Sequence, residues 1–208
     1  GNLGNALAAL WARKIGLPVG EVHLACNANA TLPEFFDGGE YRPRDAVATL
    51  ANAMDVGAPS NFERLRWTFG NDDAALRDAI PATSVDDAGI RGTIAHHANA
   101  YGEVLCPHTA TAMHLLDNLR KAGNAAPWAV VATAHPAKFE GVVKPLIGRS
   151  VPVPAALAAM LDRLAEAEPL VAEDEALKRW LRESLAERRN DAAPAHGHLD
   201  VQTSTPPA

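Results

Sequence analysis

Two short apolar runs, set among stretches with helical spacing, constrain the possible folds of this chain more than any other feature. The run "VHLACNA" begins at Val22 and reads as a buried strand, and "WAVVATA" begins at Trp128 and is apolar throughout. A wholly apolar run is typical of a parallel strand that is covered on both faces. Apolar residues at helical spacing occur before and after each run. This alternation predicts an α/β fold with a mostly parallel sheet.

Capping residues and apolar spacing predict where the helices lie. The first helix contains Leu7 and is closed by Gly16. Two more are predicted within 46–71, one on each side of "VGAPS", and Ser60 or Asn61 caps the second. The remaining predictions are a short helix that starts near Pro33 and helices over 72–80, 85–102, 106–123, 136–148 and 154–189.

The C-terminal part of the chain separates into a charged stretch and a tail. The mixed-charge helix over 154–189 is predicted to have a solvated charged face. The tail, 189–208, is rich in Pro, Gly, Ser and Thr and is predicted to be disordered. The side chains of the helix that are predicted to pack inward are Leu177, Trp180, Leu181 and Leu185.

Composition excludes several classes of function. A net charge of -6 and a pI of about 5.7 provide no basic surface for nucleic acid or for an anionic membrane. No apolar stretch reaches the roughly 20 residues that span a bilayer, and no signal-peptide pattern begins the chain. Cys26 and Cys106 make no disulfide framework, which fits a reducing cytoplasm. We therefore expect a cytoplasmic protein that binds neither nucleic acid nor membrane.

The loop "GNLGN" precedes the first predicted helix directly. Such a loop presents several backbone N–H groups together with the positive end of the helix dipole, which suits an anion. Glycines let the backbone approach the anion, and the side chains of Asn2 and Asn5 can also donate. The loop lacks the Lys-Ser/Thr of a P-loop and the spacing of a dinucleotide fingerprint. Taken alone it fits either a single terminal phosphate, such as that of a coenzyme, or a plain helix cap with a tight turn.

Two groups of polar residues can be interpreted either as ligand-binding or as structural. Asn27 and Asn29 either line a ligand cleft or cap the turn after the first strand, and the second alternative is slightly favoured. The histidines and cysteine that crowd 96–114 fit no zinc finger or ribbon spacing, and no C-x-x-C pair occurs, so no metal site is expected. These five residues are His96, His97, Cys106, His108 and His114.

Four more segments accompany "GNLGN" in a fixed order: "LACNANATLPEFF" at 24–36, "AMDVGAPSNFERL" at 53–65, "CPHTATA" at 106–112 and "ATAHPAKF" at 132–139. Together they resemble the C-terminal half of the threonine synthase family, pyridoxal-phosphate enzymes of fold type II. The resemblance implies a three-layer, open, mostly parallel sheet that is incomplete here because the N-terminal half is missing. Residues 1–188 would then be the C-terminal portion of the catalytic domain.

The resemblance implies the cofactor pyridoxal 5'-phosphate. Thr133 occupies the position at which fold type II enzymes place a hydroxyl against the pyridine nitrogen. Its position also fits its surroundings, because it follows the apolar "WAVVA" and ligands gather at the carboxyl ends of parallel strands. A hydroxyl there does not enforce a protonated pyridinium. The cofactor phosphate would be held by the amides of Gly1, Asn2, Leu3, Gly4 and Asn5.

The implied reaction converts O-phospho-L-homoserine and water to L-threonine and phosphate. The substrate carries a phosphate dianion, so cations and amide donors must hold it. His135 is a candidate either for proton transfer or for holding the turn in which it lies, and Arg64 and Lys138 are cations within family motifs. The full set of candidate substrate-binding residues is Ser60, Asn61, Arg64, His135 and Lys138.

One departure from the family concerns the lysine that carries the cofactor. In the family it lies in an "SFKD"-like motif ahead of the glycine–asparagine loop, and nothing in this sequence matches that motif. Schiff-base chemistry needs an amine that is desolvated beside the cofactor aldehyde. We therefore expect no catalytic residue for this step in the chain, and no activity from the chain alone. The lysines present are Lys14, Lys121, Lys138, Lys144 and Lys178.

Two other functions remain open at this point. The chain can belong to a threonine-synthase-like phospho-lyase that acts on another phosphorylated substrate, or it can be a truncated binding module without activity. Either a monomer or a homodimer is expected.

Overall fold

The computed structural model describes residues 1–161, 163–164, 167 and 169–191. The chain divides into two compact units, Gly1–Ala155 and Ala156–Ala208. The helices and strands are α1 (Gly4–Lys14), β1 (Leu24–Cys26), α2 (Thr31–Phe36), a first 3-10 turn (Asn52–Met54), α3 (Asn61–Thr68), α4 (Asp73–Ala79), β2 (Ala82–Ser84), α5 (Asp87–Tyr101), α6 (Pro107–Lys121), a second 3-10 turn (Pro136–Phe139), α7 (Glu140–Ile147), α8 (Ala155–Leu161) and α9 (Asp174–Asp191).

The described residues are mostly helical and include one small parallel sheet. β1 and β2 pair in parallel, with Leu24 opposite Ala82 and Cys26 opposite Ser84. The first predicted strand and the parallel pairing are therefore confirmed. The three-layer sheet that we expected is represented here by these two strands alone.

The second predicted strand, "WAVVATA", is wrong. Residues 127–134 pair with neither strand of the sheet, and Val131 is 57% exposed. An extended segment becomes a strand when a neighbour pairs with its backbone N–H and C=O groups. β1 and β2 instead pair with each other, and β2 is a three-residue strand that no periodicity in the sequence indicated.

The helix predicted before "VGAPS" is also wrong, because that segment forms just the first 3-10 turn, Asn52–Met54. The amide of Val47 donates to Oδ1 of Asn29 at 2.8 Å, and the amide of Thr49 donates to Oδ2 of Asp55 at 3.0 Å. An α-helix would need these amides for its own carbonyl groups. Hydrogen bonds to distant side chains therefore replace the helix here.

The helix predicted over 154–189 is split into α8 and α9. Pro169 lies between them, where a proline removes a helical N–H and its ring clashes with the preceding turn. α9 ends at Asp191, and the predicted tail beyond it lies outside the described residues. No helix among the described residues is long and apolar enough to cross a membrane. The inward packing predicted within α9 is wrong, since its large apolar side chains are 38% to 59% exposed: Leu177, Trp180, Leu181 and Leu185.

Local caps hold the ends of α4 and α5 near their predicted limits. The Asp72 carboxylate accepts hydrogen bonds from the amides of Ala74 and Ala75 at the start of α4, and Asp86 caps α5 in the same way. Gly102 closes α5 in the left-handed conformation, with φ of 71°. Ser60, one of the two residues predicted to cap α3, occupies its N-cap position, but its side chain makes no cap hydrogen bond, so the predicted capping is wrong.

Two apolar clusters hold these elements together within the first unit. The first joins α1, β1, α2, α3 and α4, and it positions the "GNLGN" loop. The second joins α5, α6 and α7 and positions "TAHPAKF". Fully burying one such side chain contributes about 1.5–3 kcal/mol. The most deeply buried members of the first cluster are Phe35, Leu65, Leu76 and Ile80, and those of the second are Ala51, Ile90, Ile94, Ala110 and Val143.

Candidate functional site

The "GNLGN" loop enters α1 through a residue in the left-handed conformation. Leu3 is the N-cap residue, with φ of 64°, and its side chain is buried in the first apolar cluster. No side chain caps the helix. Within the described residues, the amides of Gly4, Asn5 and Ala6 donate to no acceptor. Free first-turn amides at the positive end of a helix are suited to holding an anion.

Asn2 fastens this loop to the start of α3. Its Nδ2 donates to Oγ of Ser60 at 3.0 Å, and Nδ2 of Asn61 donates to its backbone carbonyl at 2.8 Å. The backbone amide of Asn61 also donates to Oδ1 of Asn2, at 3.3 Å. Arg64 in turn donates to Oδ1 of Asn61. The structure therefore brings three of the predicted substrate-binding residues to the predicted phosphate loop, and two of them bond directly to Asn2.

A buried polar network lies below the loop and fixes the "MDVG" segment. Oδ1 of Asp55 accepts from Nδ2 of Asn27 at 2.7 Å and from Nδ2 of Asn29 at 3.2 Å. Nδ2 of Asn29 also donates to the carbonyl of Val47 at 3.0 Å. Asn27 is fully buried. These contacts favour the structural alternative for the two asparagines. Asp55 was not among the predicted site residues, although it lies within the "MDVG" motif, which was the available signal.

Gly57 follows this network at a point where the backbone passes another segment closely. A Cβ atom built there would lie 2.0 Å from the carbonyl oxygen of Arg44. The carbonyl of Gly57 accepts a hydrogen bond from Oγ1 of Thr31 at 2.9 Å. No side chain fits this crossing, so the turn before α3 depends on a glycine.

A second group of predicted residues lies in a cleft of about 660 Å³ beside the start of α6. Thr133 and His135 line it together with Cys106 and Thr109. The hydroxyl of Thr133 has no hydrogen-bond partner among the described residues, so it is available to a ligand. Nδ1 of His135 accepts from the amide of Ala137 at 3.2 Å, which fits the alternative in which His135 holds the turn.

Lys138, in the second 3-10 turn, is exposed and pairs with no described carboxylate. Between the two groups, loop and cleft, the described residues make no direct hydrogen bond. The predicted site residues therefore lie in two separate groups. The strand-end argument for Thr133 is not supported, because the segment before it is not a strand.

The crowded histidines have separate partners. Nε2 of His97 lies 3.0 Å from Oδ2 of Asp117, and Nδ1 of His114 lies 3.0 Å from Oγ1 of Thr93. Among the described residues no group of three or more His, Cys, Asp or Glu side chains is arranged to hold a metal ion. Burial raises the pKa of the Cys26 thiol, which keeps it protonated and makes it a poor nucleophile.

The described residues define a mostly helical fold with a small parallel sheet, in which helix α1 begins with free amides suited to an anion. A family model described as "Threonine synthase, C-terminal" matches residues 109–180. The threonine synthase of Serratia marcescens is 37% identical over 158 residues, which cover 76% of this chain and 36% of that protein. The threonine synthase of Escherichia coli K12 is 33% identical over 181 residues, covering 87% of this chain and 41% of that protein.

Solved structures give the same result. The crystal structure of threonine synthase from Escherichia coli matches with a TM-score of 0.74 and 32% identity, covering 88% of this chain and 42% of that one. The threonine synthase of Brucella melitensis, solved with bound PLP, matches with a TM-score of 0.73 and 29% identity, covering 88% and 44%. The chain belongs to the threonine synthase family. The chain spans 36% of the length of the threonine synthase of Serratia marcescens, 41% of that of Escherichia coli and 45% of that of Methylobacillus glycogenes.

Proposed function

We propose that this chain is part of a pyridoxal-phosphate-dependent threonine synthase, which converts O-phospho-L-homoserine and water into L-threonine and phosphate. The observation that carries the proposal is the set of free amides at the start of α1. The bound PLP in the related protein from Brucella melitensis supports the choice of cofactor.

The residues present fit this cofactor at its two ends. The amides of Gly4, Asn5 and Ala6 are free donors, as a phosphate monoester requires. The hydroxyl of Thr133 has no partner among the described residues and can serve the pyridine nitrogen. When bound, the cofactor supplies an electron sink for the substrate's α and β carbons.

The chain's own side chains then have distinct tasks. Ser60 and Asn61 hold Asn2 and so fix the loop that receives the cofactor phosphate. Arg64 and Lys138 are exposed cations that neutralise the substrate's phosphate dianion. His135 holds the turn after Thr133 through its Nδ1.

The amine that carries the cofactor is assigned to a segment outside this sequence. All five lysines of the chain are exposed, whereas a cofactor-bearing amine must be desolvated. Nζ of Lys144 lies 3.7 Å from a carboxylate oxygen of Glu140, and Nζ of Lys178 lies 2.7 Å from one of Glu175, so each of these amines has an acidic partner. We therefore expect no turnover from this chain alone.

Ligand titration followed by NMR tests the proposal on the chain itself. Pyridoxal 5'-phosphate and inorganic phosphate should shift the amide signals of Gly4 and Asn5, and pyridoxal without its phosphate should not. The start of α4, whose amides at Ala74 and Ala75 are already capped by Asp72, serves as the internal control. Unchanged loop signals at millimolar phosphate would contradict the proposal.

A second experiment addresses the substrate. In a protein that joins this chain to a lysine-bearing segment, phosphate release from O-phospho-L-homoserine is expected. Cofactor binding without that release would favour a phospho-lyase with another substrate. Absence of both would favour a binding module.

A further inference from the structure

His108 lies between the loop and the cleft and has no role in the function proposed above. It occupies the first turn of α6 and is 7% exposed. Its Nε2 accepts a hydrogen bond from the backbone amide of Ala53 at 3.0 Å. Its ring packs against that of Phe139, with the ring centroids 4.9 Å apart. One side chain therefore contacts both 3-10 turns.

The contact with Ala53 leads to the phosphate loop. Ala53 lies in the first 3-10 turn, and its neighbour Met54 packs against the loop: a methyl group at Gly1 would lie 3.6 Å from Cγ of Met54. The next residue, Asp55, is held by the buried asparagine network. The turn beside the loop is therefore fixed both by His108, at Ala53, and by this network, at Asp55.

The contact with Phe139 leads to the cleft. Phe139 ends the second 3-10 turn, which begins after His135. His135 and Thr133 both line the cleft, and Thr133 carries the free hydroxyl. A shift of the Phe139 ring would therefore move the turn that orients this hydroxyl.

The hydrogen bond requires a neutral imidazole. Because Nε2 accepts from Ala53, the ring proton of His108 must be on Nδ1, a buried atom with no hydrogen-bond partner among the described residues. Burial lowers the pKa of His108, and the negative charge of Asp55 opposes this effect. Its neutral state is therefore favoured near neutral pH.

We propose that His108 is a positioning residue that holds the phosphate loop and the Thr133 turn at a fixed separation. The consequence for the cofactor rests on the proposed function, whereas the mechanical link does not. The loop must meet the phosphate at one end of the cofactor, and the Thr133 hydroxyl must meet the ring at its other end. The separation of these two sites must therefore match one rigid ligand. A single buried ring that contacts both supporting turns provides that match.

Three variants of the full chain test the link. His108→Phe keeps a ring against Phe139 but removes the acceptor for Ala53, and His108→Gln restores an acceptor near the position of Nε2. His114→Phe, on the same helix, is the matched control. We expect His108→Phe to shift the amide signals of Ala53 and Gly4 and to weaken inorganic phosphate binding at the loop about tenfold, because a buried amide loses its partner. His108→Gln should recover most of the affinity, and His114→Phe should leave the loop unchanged.

The outcomes separate this inference from the proposed function. If His108→Phe folds and both the Gly4 signal and phosphate affinity are unchanged, the positioning role is overturned. If the unmodified chain binds no phosphate, the proposed function fails, and the coupled shifts of Ala53 and Gly4 still decide the link.

A pH titration of the unmodified chain covers the case in which His108→Phe does not fold. The amide signals of Ala53 and Gly4 should then titrate together with the His108 ring, with a pKa below the ordinary value for histidine. Independent titration of the two amides would contradict the link.

Discussion

Asn2 and Asn61 make two hydrogen bonds that join the phosphate loop to α3. Asn61 uses both ends of its amide, since Nδ2 donates to the carbonyl of Asn2 and Oδ1 accepts from Arg64. A carboxylate at this position would keep the acceptor and lose the donor. The two functions of one side chain can therefore be separated experimentally.

We expect Asn61→Asp to destabilise the chain by about 1 kcal/mol and to weaken phosphate binding at the loop, because the Asn2 carbonyl loses its donor. The added negative charge near the loop also repels phosphate and weakens its binding further. Urea unfolding and phosphate titration measure the two effects. Asn118→Asp, at an exposed position on α6, is the control. Equal phosphate affinity in both variants would contradict the role given to Asn61.

Residue-level prediction from the sequence succeeded where the signal was a long motif and failed where a role depended on distant contacts. Ser60, Asn61 and the loop were identified from their motifs, and the structure brings them together. Asp55 and His108 were missed as site residues. Their importance comes from partners far away in the chain, such as Asn27 for Asp55 and Ala53 for His108.

At the scale of elements, the helices followed the sequence more closely than the strands. α5 and α6 begin and end near their predicted limits because caps such as Asp86 and Gly102 act within a few residues. Strand pairing is non-local, so "WAVVATA" was predicted as a strand without knowledge of its neighbours. The helix before "VGAPS" failed for the same reason, since its amides bond to distant side chains.

The backbone crossing at Gly57, between the first 3-10 turn and α3, limits which side chains fit there. Gly57→Ala places a methyl group 2.0 Å from the carbonyl oxygen of Arg44, and backbone must move to admit it. We expect a loss of more than about 3 kcal/mol, above the usual cost of overpacking. Thermal or urea unfolding measures it.

Gly92→Ala is the matched control for this change. Gly92 lies within α5, and a Cβ atom there would meet nothing within 4 Å. Alanine should stabilise that helix by about 1 kcal/mol. If both glycine variants were equally stable, the close crossing at Gly57 would not limit the fold.

At the scale of the whole molecule, the first unit combines two buried clusters with much exposed apolar surface. Ile15 is 80% exposed, and Trp67 is 68% exposed. Exposed apolar side chains promote association with other chains where they form a contiguous patch. Of the three-layer sheet that the resemblance implies, the described residues contain one parallel strand pair.

Phosphate should raise the melting temperature of the chain if the loop binds it in the folded state alone. At a phosphate concentration 100 times the dissociation constant, the gain is about 2.7 kcal/mol. Thermal unfolding in phosphate and in chloride at equal ionic strength measures it. The Asn61→Asp variant is the control for general salt effects. It still experiences these effects, but it lacks the hydrogen bond from residue 61 to the carbonyl of Asn2. The same rise in both proteins would show that the loop is not the site.

The contact between Asn2 and Ser60 also has a kinetic consequence. These residues are separated by 58 positions, and β1 and α2 lie between them. Closing so long a segment is entropically unfavourable until the intervening elements have folded. We therefore expect the anion site to assemble late in folding. A bound anion would then slow unfolding and leave the folding rate almost unchanged.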